Sequence, residues 1–228
     1  MIITIDGPTA SGKSTASRLL ADRLHIHCLS SGALYRGLAY ILINIFNYSQ
    51  EALYNPATND VDMALDPRHF LYKLDGNGCG TVWFDNQNIT SFLKTNEISH
   101  AASILATHQS VRDTLTTLQR LLAQQYDLVL EGRDAGSVVF PQATSKFFLT
   151  ADIDTRARRW QQVQNKLGII IDFNEARQHI QERDARDRNR EIAPLIIPED
   201  ALIIDNSNLT IEKTIQIMIE YIEQTKKI

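Results

Sequence analysis

The 228-residue chain has only two cysteines, Cys28 and Cys79, and no metal-ligand spacing between them. Two buried, reduced thiols are therefore expected, which suits a reducing cytoplasm. No apolar run approaches the ~20 residues a membrane span needs. No signal peptide is expected ahead of the first apolar strand, which begins at Ile2. Positive charge is not in excess. Lys and Arg number 23 against 27 Asp and Glu, giving a net charge of −4. A general nucleic-acid binder is usually basic, so nucleic acid is not expected as a partner and any anion site must be local. Repeats, low-complexity tracts and flexible linkers are missing. So is Asn-Lys-x-Asp, the guanine-reading motif a GTPase switch would carry.

What is present is an ordinary globular composition, 43% hydrophobic and 22% charged, enough for a substantial core in one large or two small domains. The most informative stretch comes first. Residues 2–5 read as a short apolar strand, and Gly7-Pro8-Thr9-Ala10-Ser11-Gly12-Lys13-Ser14 leads to a helix opening at Thr15. This is G-x-x-x-x-G-K-S between a strand and a helix, the setting of a Walker A phosphate loop. Gly7 and Gly12 can adopt backbone angles closed to other residues. The loop amides then converge on phosphate oxygens at the positive end of a helix. Lys13 adds a mobile charge and Ser14 a hydroxyl for Mg²⁺.

Further along, helices are expected over residues 14–24, 33–47, 96–124, 154–165 and 172–189, and after Thr210. Apolar strands are expected near 27–29, 127–131, 145–150 and 201–205. Strands alternating with helices, apolar on both faces, predict an α/β fold with a parallel, helix-flanked sheet. Residues 48–66 read as mixed polar loop. Residues 70–74 and 80–84 read as a β-hairpin around Asp75-Gly76-Asn77-Gly78. It is either a small antiparallel insert or an added edge of the main sheet. Ligands of such sheets bind beyond the carboxyl ends of the strands, which gathers residues 7–14, 30–36 and 132–134 around one crevice.

Arginines cluster there. Arg36 follows Ser31-Gly32, Arg133 follows a strand, and Arg183, Asp187 and Arg190 are spaced i, i+4, i+7, one face of a helix. A solvated helix laced by ion pairs would look similar. The consistent use of Arg, whose fork fits phosphate bidentately, favours an anion site.

Five segments, IDGPTASGKST, SSGALYR, LEGRDAGSVVFP, ERDARDRNREIAPL and ALIIDNSNLTIE, occur in this order. Together they closely resemble the bacterial cytidylate kinases, over essentially the whole chain. The resemblance implies a P-loop NTPase core (1–62, 93–153 and 193–228), a monophosphate-binding insert (63–92) and a short helical lid (154–192). It implies phosphoryl transfer from ATP to CMP or dCMP with Mg²⁺, in a cytoplasmic monomer. Carried over by matching positions, residues 7–15 would hold ATP and Ser14 the metal. Lys13, Arg133, Arg183 and Arg190 would act on the phosphoryl group in flight. Ser31, Arg36, Arg133 and Arg190 would bind the acceptor phosphate. Ser103, Arg112 and Asp134 would read the cytosine edge, and Arg183 and Asp187 would sit at the sugar. Two positions depart from the pattern: Ser30 stands where the family usually has Asp, and Lys94 where it often has Arg. The alternatives are a P-loop kinase for UMP or another small acceptor, and a non-catalytic nucleotide-binding module.

Overall fold

The computed structural model describes residues 1–74 and 79–225. The Asp75-Gly76-Asn77-Gly78 connection expected in the hairpin therefore lies outside the described residues. The chain runs through β1 (Ile2–Asp6), α1 (Lys13–Leu24), β2 (His27–Ser30), α2 (Ser31–Asn44), α3 (Thr58–Ala64), β3 (Phe70–Lys73), β4 (Thr81–Phe84) and β5 (Gln87–Asn88). It continues through α4 (Asn96–Leu105), α5 (Gln109–Gln125), β6 (Leu128–Glu131), β7 (Ser145–Thr150), α6 (Ile153–Lys166), α7 (Phe173–Asn189), β8 (Leu202–Asp205) and α8 (Ile211–Thr225).

The main sheet has the order β2-β6-β1-β7-β8, and every pairing in it is parallel. Apolar side chains point to both faces because helices cover both. In β6, Leu128 and Leu130 enter one core with α2, α4 and α5, and Val129 enters the other with α1 and α8. The period of two along the strand makes this split. The phosphate loop leaves β1 at the middle of the sheet, so its neighbours β6 and β7 end beside it.

The antiparallel insert is a separate three-stranded sheet, β3-β4-β5, with Tyr72 opposite Val82 and Trp83 opposite Asn88. It meets the outer edge of β2 at a bridge from Cys28 to Cys79. Here an expectation is corrected. Cys28 and Cys79 are not two free thiols but a disulfide. The insert folds back so that their Cα atoms lie 4.4 Å apart, a proximity no local spacing announces.

Three other expectations change. Residues 48–66 are not all loop, since they contain a 3₁₀ turn at Ala52–Tyr54 and α3. The helical run expected over 96–124 is two helices. Ala106 ends the first, His108 is extended at φ −93°, and its ring reaches the Leu53 carbonyl at 3.1 Å. The buried face continues across this break, so periodicity alone could not reveal it. Arg190 does not share a helical face with Arg183 and Asp187. It is the residue after the last turn of α7, with ψ 140°.

Candidate active site

Gly7 has φ +149°, and a Cβ there would collide with the Leu149 carbonyl. Gly12, at φ +95°, is the N-cap of α1. Both glycines are therefore demanded by backbone shape, as the motif predicts. Inside the loop, the Lys13 ammonium donates to the Pro8 carbonyl at 2.6 Å and to Ser11 Oγ at 3.3 Å. Burial, and then the nearby Arg133 charge, lower its pKa to about 7. Burial thus disfavours the charge on Lys13, and an anion bound beside it would restore that charge.

Asp6, at the end of β1, is buried and its pKa is raised to about 7, chiefly by burial. It accepts hydrogen bonds from the Ala135 and Gly136 amides at 2.8 and 2.7 Å. Those bonds fix the turn after β6 and so aim Arg133 and Asp134.

One cavity of about 850 Å³ runs along the carboxyl ends of the strands. On one side it is lined by Thr9, Ala10, Ser11, Gly12, Lys13, Ser14 and Thr15, and across from them by Ser31, Arg36, Ser103, Arg112, Arg133, Asp134, Arg183, Asp187 and Arg190. Gly7 and Pro8 shape the loop but do not line this cavity.

Arg133 Nε donates to Asp187 at 2.8 Å, and its Nη2 reaches Thr9 Oγ1 at 3.3 Å. Burial would lower the Arg133 pKa and raise that of Asp187. Opposite charges together outweigh it, Asp187 and Glu131 raising Arg133, and Arg133 and Arg183 lowering Asp187. Asp134 accepts from Arg112 on one oxygen and from Arg190 Nη2 at 3.3 Å on the other. Arg36 and Arg183 differ from these. Each has a buried Nε without a hydrogen-bond partner among the described residues, and burial lowers both pKa values, that of Arg183 to about 10. Buried, unsatisfied guanidinium donors are costly unless a ligand meets them.

Four further groups escaped the sequence reading. Glu131, the last residue of β6, lines the cavity and accepts from Ser30 Oγ. A carboxylate therefore stands beside Ser30. Asp184 and Arg156 form a buried pair at 2.5 Å that grips one residue of the loop from both sides. Asp184 accepts from the Thr9 amide at 2.9 Å, and Arg156 donates to the Thr9 carbonyl at 3.0 Å. Asn206 donates to the Ser11 carbonyl at 2.9 Å and is itself held by Arg159. Trp160, also lining the cavity, stacks on His179 with centroids 4.2 Å apart. Only Asp184, in the charged run, carried a local signal, and that signal did not distinguish it from its neighbours.

Helices α6 and α7 pack on each other around Ala157, Ala176 and Ile180, a cluster distinct from both main cores. Among the described residues no group of three or more His, Cys, Asp or Glu could hold a metal ion by itself. No helix among them is long and apolar enough to cross a membrane.

A parallel sheet with a phosphate loop at its centre, facing a ring of arginines across one cleft, defines a P-loop kinase. Comparison with known proteins makes this specific. The chain belongs to the cytidylate kinase family, whose profile matches residues 3–224. It is 39% identical to the cytidylate kinase of Aeromonas salmonicida (strain A449), over 98% of this chain and 94% of that one. It is also 39% identical to cytidylate kinase 1 of Haemophilus influenzae, with coverage of 98% and 94%. A solved structure of an uncharacterized protein from Eubacterium ventriosum superposes with a TM-score of 0.55 at 14% identity, covering 98% of each chain. That likeness speaks to the fold alone.

Proposed function

We propose that the cavity transfers the γ-phosphoryl group of ATP to CMP or dCMP, giving ADP and CDP or dCDP. The observation that carries this reading is the pair of buried, unpartnered guanidinium Nε atoms of Arg36 and Arg183 in the wall facing Lys13. Two anions meeting between those walls would satisfy them.

The acceptor phosphate is already an anion, so transfer needs no strong general base. Alignment and neutralisation of charge dominate. Residues 9–15 cradle the donor phosphates, and Lys13 follows the group in flight. Arg36 and Ser31 hold the acceptor phosphate, with Arg133, Arg183 and Arg190 around the in-line path. Asp134 accepts from the exocyclic amine of cytosine. A carboxylate has about four lone-pair sites, so its bonds to Arg112 and Arg190 leave room. Arg112 and Ser103 donate to the remaining base edge, and Asp187 lies at the sugar.

Mg²⁺ fits this donor set. Magnesium takes few protein ligands and relies on phosphates and water, and Ser14 offers a hydroxyl with the Glu131 carboxylate in the same cavity. Held there, the ion would supply neutralising charge to the donor phosphates. Residues 63–92 form the monophosphate-side insert and 154–192 the lid, supported by the separate β3-β4-β5 sheet and the separate α6–α7 cluster. The enzyme acts as a cytoplasmic monomer in this reading.

A coupled assay with ATP, Mg²⁺ and each of CMP, dCMP, UMP, AMP and GMP tests it. CMP or dCMP should give the highest kcat/KM. Best turnover on a purine monophosphate would contradict it, and no turnover on any would favour a nucleotide-binding module.

A further inference from the structure

On one side β2 pairs with β6. On the other side no strand runs among the described residues, and the hairpin insert takes up backbone groups there instead. The Gly80 amide donates to the Cys28 carbonyl at 3.2 Å, and the Cys28–Cys79 disulfide ties the same point. Two residues further, the Ser30 amide donates to the Tyr72 hydroxyl at 3.0 Å. Groups at i and i+2 point to the same side of a strand. A side-chain hydroxyl thus completes an edge that a neighbouring strand would otherwise cover.

Ser30 is the N-cap of α2, extended at φ −98°, ψ 107°. Tyr72 grips its amide, and Glu131 accepts from its hydroxyl on the main-sheet side. Ser31, Gly32 and Arg36 follow in the first turns of the helix. Tyr72 is buried and close enough to the Arg36 guanidinium to act on its charge. The position of Arg36 therefore depends on where α2 starts, and that start is pinned from the insert.

We propose that Tyr72 is a positioning residue for the acceptor phosphate, acting through the Ser30 amide on Ser31 and Arg36. This rests on the reading of Ser31 and Arg36 as acceptor-phosphate ligands. Tyr72→Phe keeps the ring and removes the hydroxyl, leaving a buried amide unsatisfied. KM for CMP should rise about tenfold, while kcat and KM for ATP stay within twofold. A general loosening of the fold would not single out CMP. Arg36→Lys, measured in parallel, separates the two layers. If it leaves KM for CMP unchanged, the acceptor-phosphate reading fails. If it raises KM for CMP and Tyr72→Phe does not, the role of Tyr72 alone is overturned. Should Tyr72→Phe fail to fold, hydrogen exchange at the Ser30 amide of the native protein decides. Strong protection without nucleotide is expected, and exchange at the rate of an exposed amide overturns the proposal.

Discussion

Opening the Cys28–Cys79 bond should lower stability measurably, because the two residues are 51 apart in sequence. In the chain-entropy picture, a cross-link closing a loop of that length removes roughly 14 cal/mol/K from the unfolded ensemble, or about 4 kcal/mol at 25 °C. For a chain of this size each kcal/mol moves Tm by about 2–4 °C, so a fall of about 8–16 °C is expected. The loop contains α2, α3 and β3, elements whose apolar residues are already buried in the main core, so the reduced protein should still fold. The assay is differential scanning calorimetry with and without a phosphine reductant, alongside Cys79→Ser. The reductant should shift the parent protein and leave Cys79→Ser unmoved. If the parent melts at the same temperature in both conditions and titrates two free thiols without reductant, the bond does not form in solution and the argument fails.

Other consequences can be checked more briefly. Lys13→Met should lower kcat by at least ~10²-fold, the scale of losing one charge-stabilising group, while Tm is retained; near-normal turnover would remove Lys13 from the chemistry. With its pKa at about 7 in the free protein, Lys13 is mostly neutral at pH 8 and mostly charged at pH 5.5. Donor phosphates raise the pKa, so binding should take up close to one proton at pH 8 and almost none at pH 5.5. Calorimetry in buffers of different ionisation enthalpy, with Lys13→Met subtracted, measures that uptake. Asp134→Asn should raise KM for CMP at least ~30-fold, since it weakens a buried charge network, and should leave KM for ATP nearly unchanged; an equal loss for both would make Asp134 purely structural.

Much of this architecture could be read from the chain because its signals are local. The apolar strands, the two glycines of the loop and the Thr210 cap, which accepts from the Lys213 amide at 3.2 Å, each depend on a few adjacent residues. So do the arginines after strand ends, which the parallel topology brings into one cleft. Signals that depend on distant partners did not show. Cys28 and Cys79 meet only because the insert folds onto the sheet edge. Glu131 reads as the end of an apolar strand until Ser30 is beside it. Arg156 and Asp184 look like two members of charged helices, and only the packing of α6 against α7 sets both on Thr9. The polar α3 lacked the apolar stripe that announces a helix, and the break at His108 was hidden because both flanking helices bury the same face.

The stack of Trp160 on His179 gives the molecule an internal lamp. There are two tryptophans in the chain, and Trp83 sits in the hairpin with the Lys73 ammonium 3.7 Å from its ring centre. The other stands at the nucleotide cleft against an imidazole whose pKa is lowered by burial and then by Arg183 and Arg186. A protonated imidazole quenches indole emission, and nucleotide phosphates drawn to those arginines would change that balance. Excited at 295 nm, a Trp83→Phe protein would report through Trp160 alone, so occupancy of the cleft could be followed in real time without a label or a coupling enzyme.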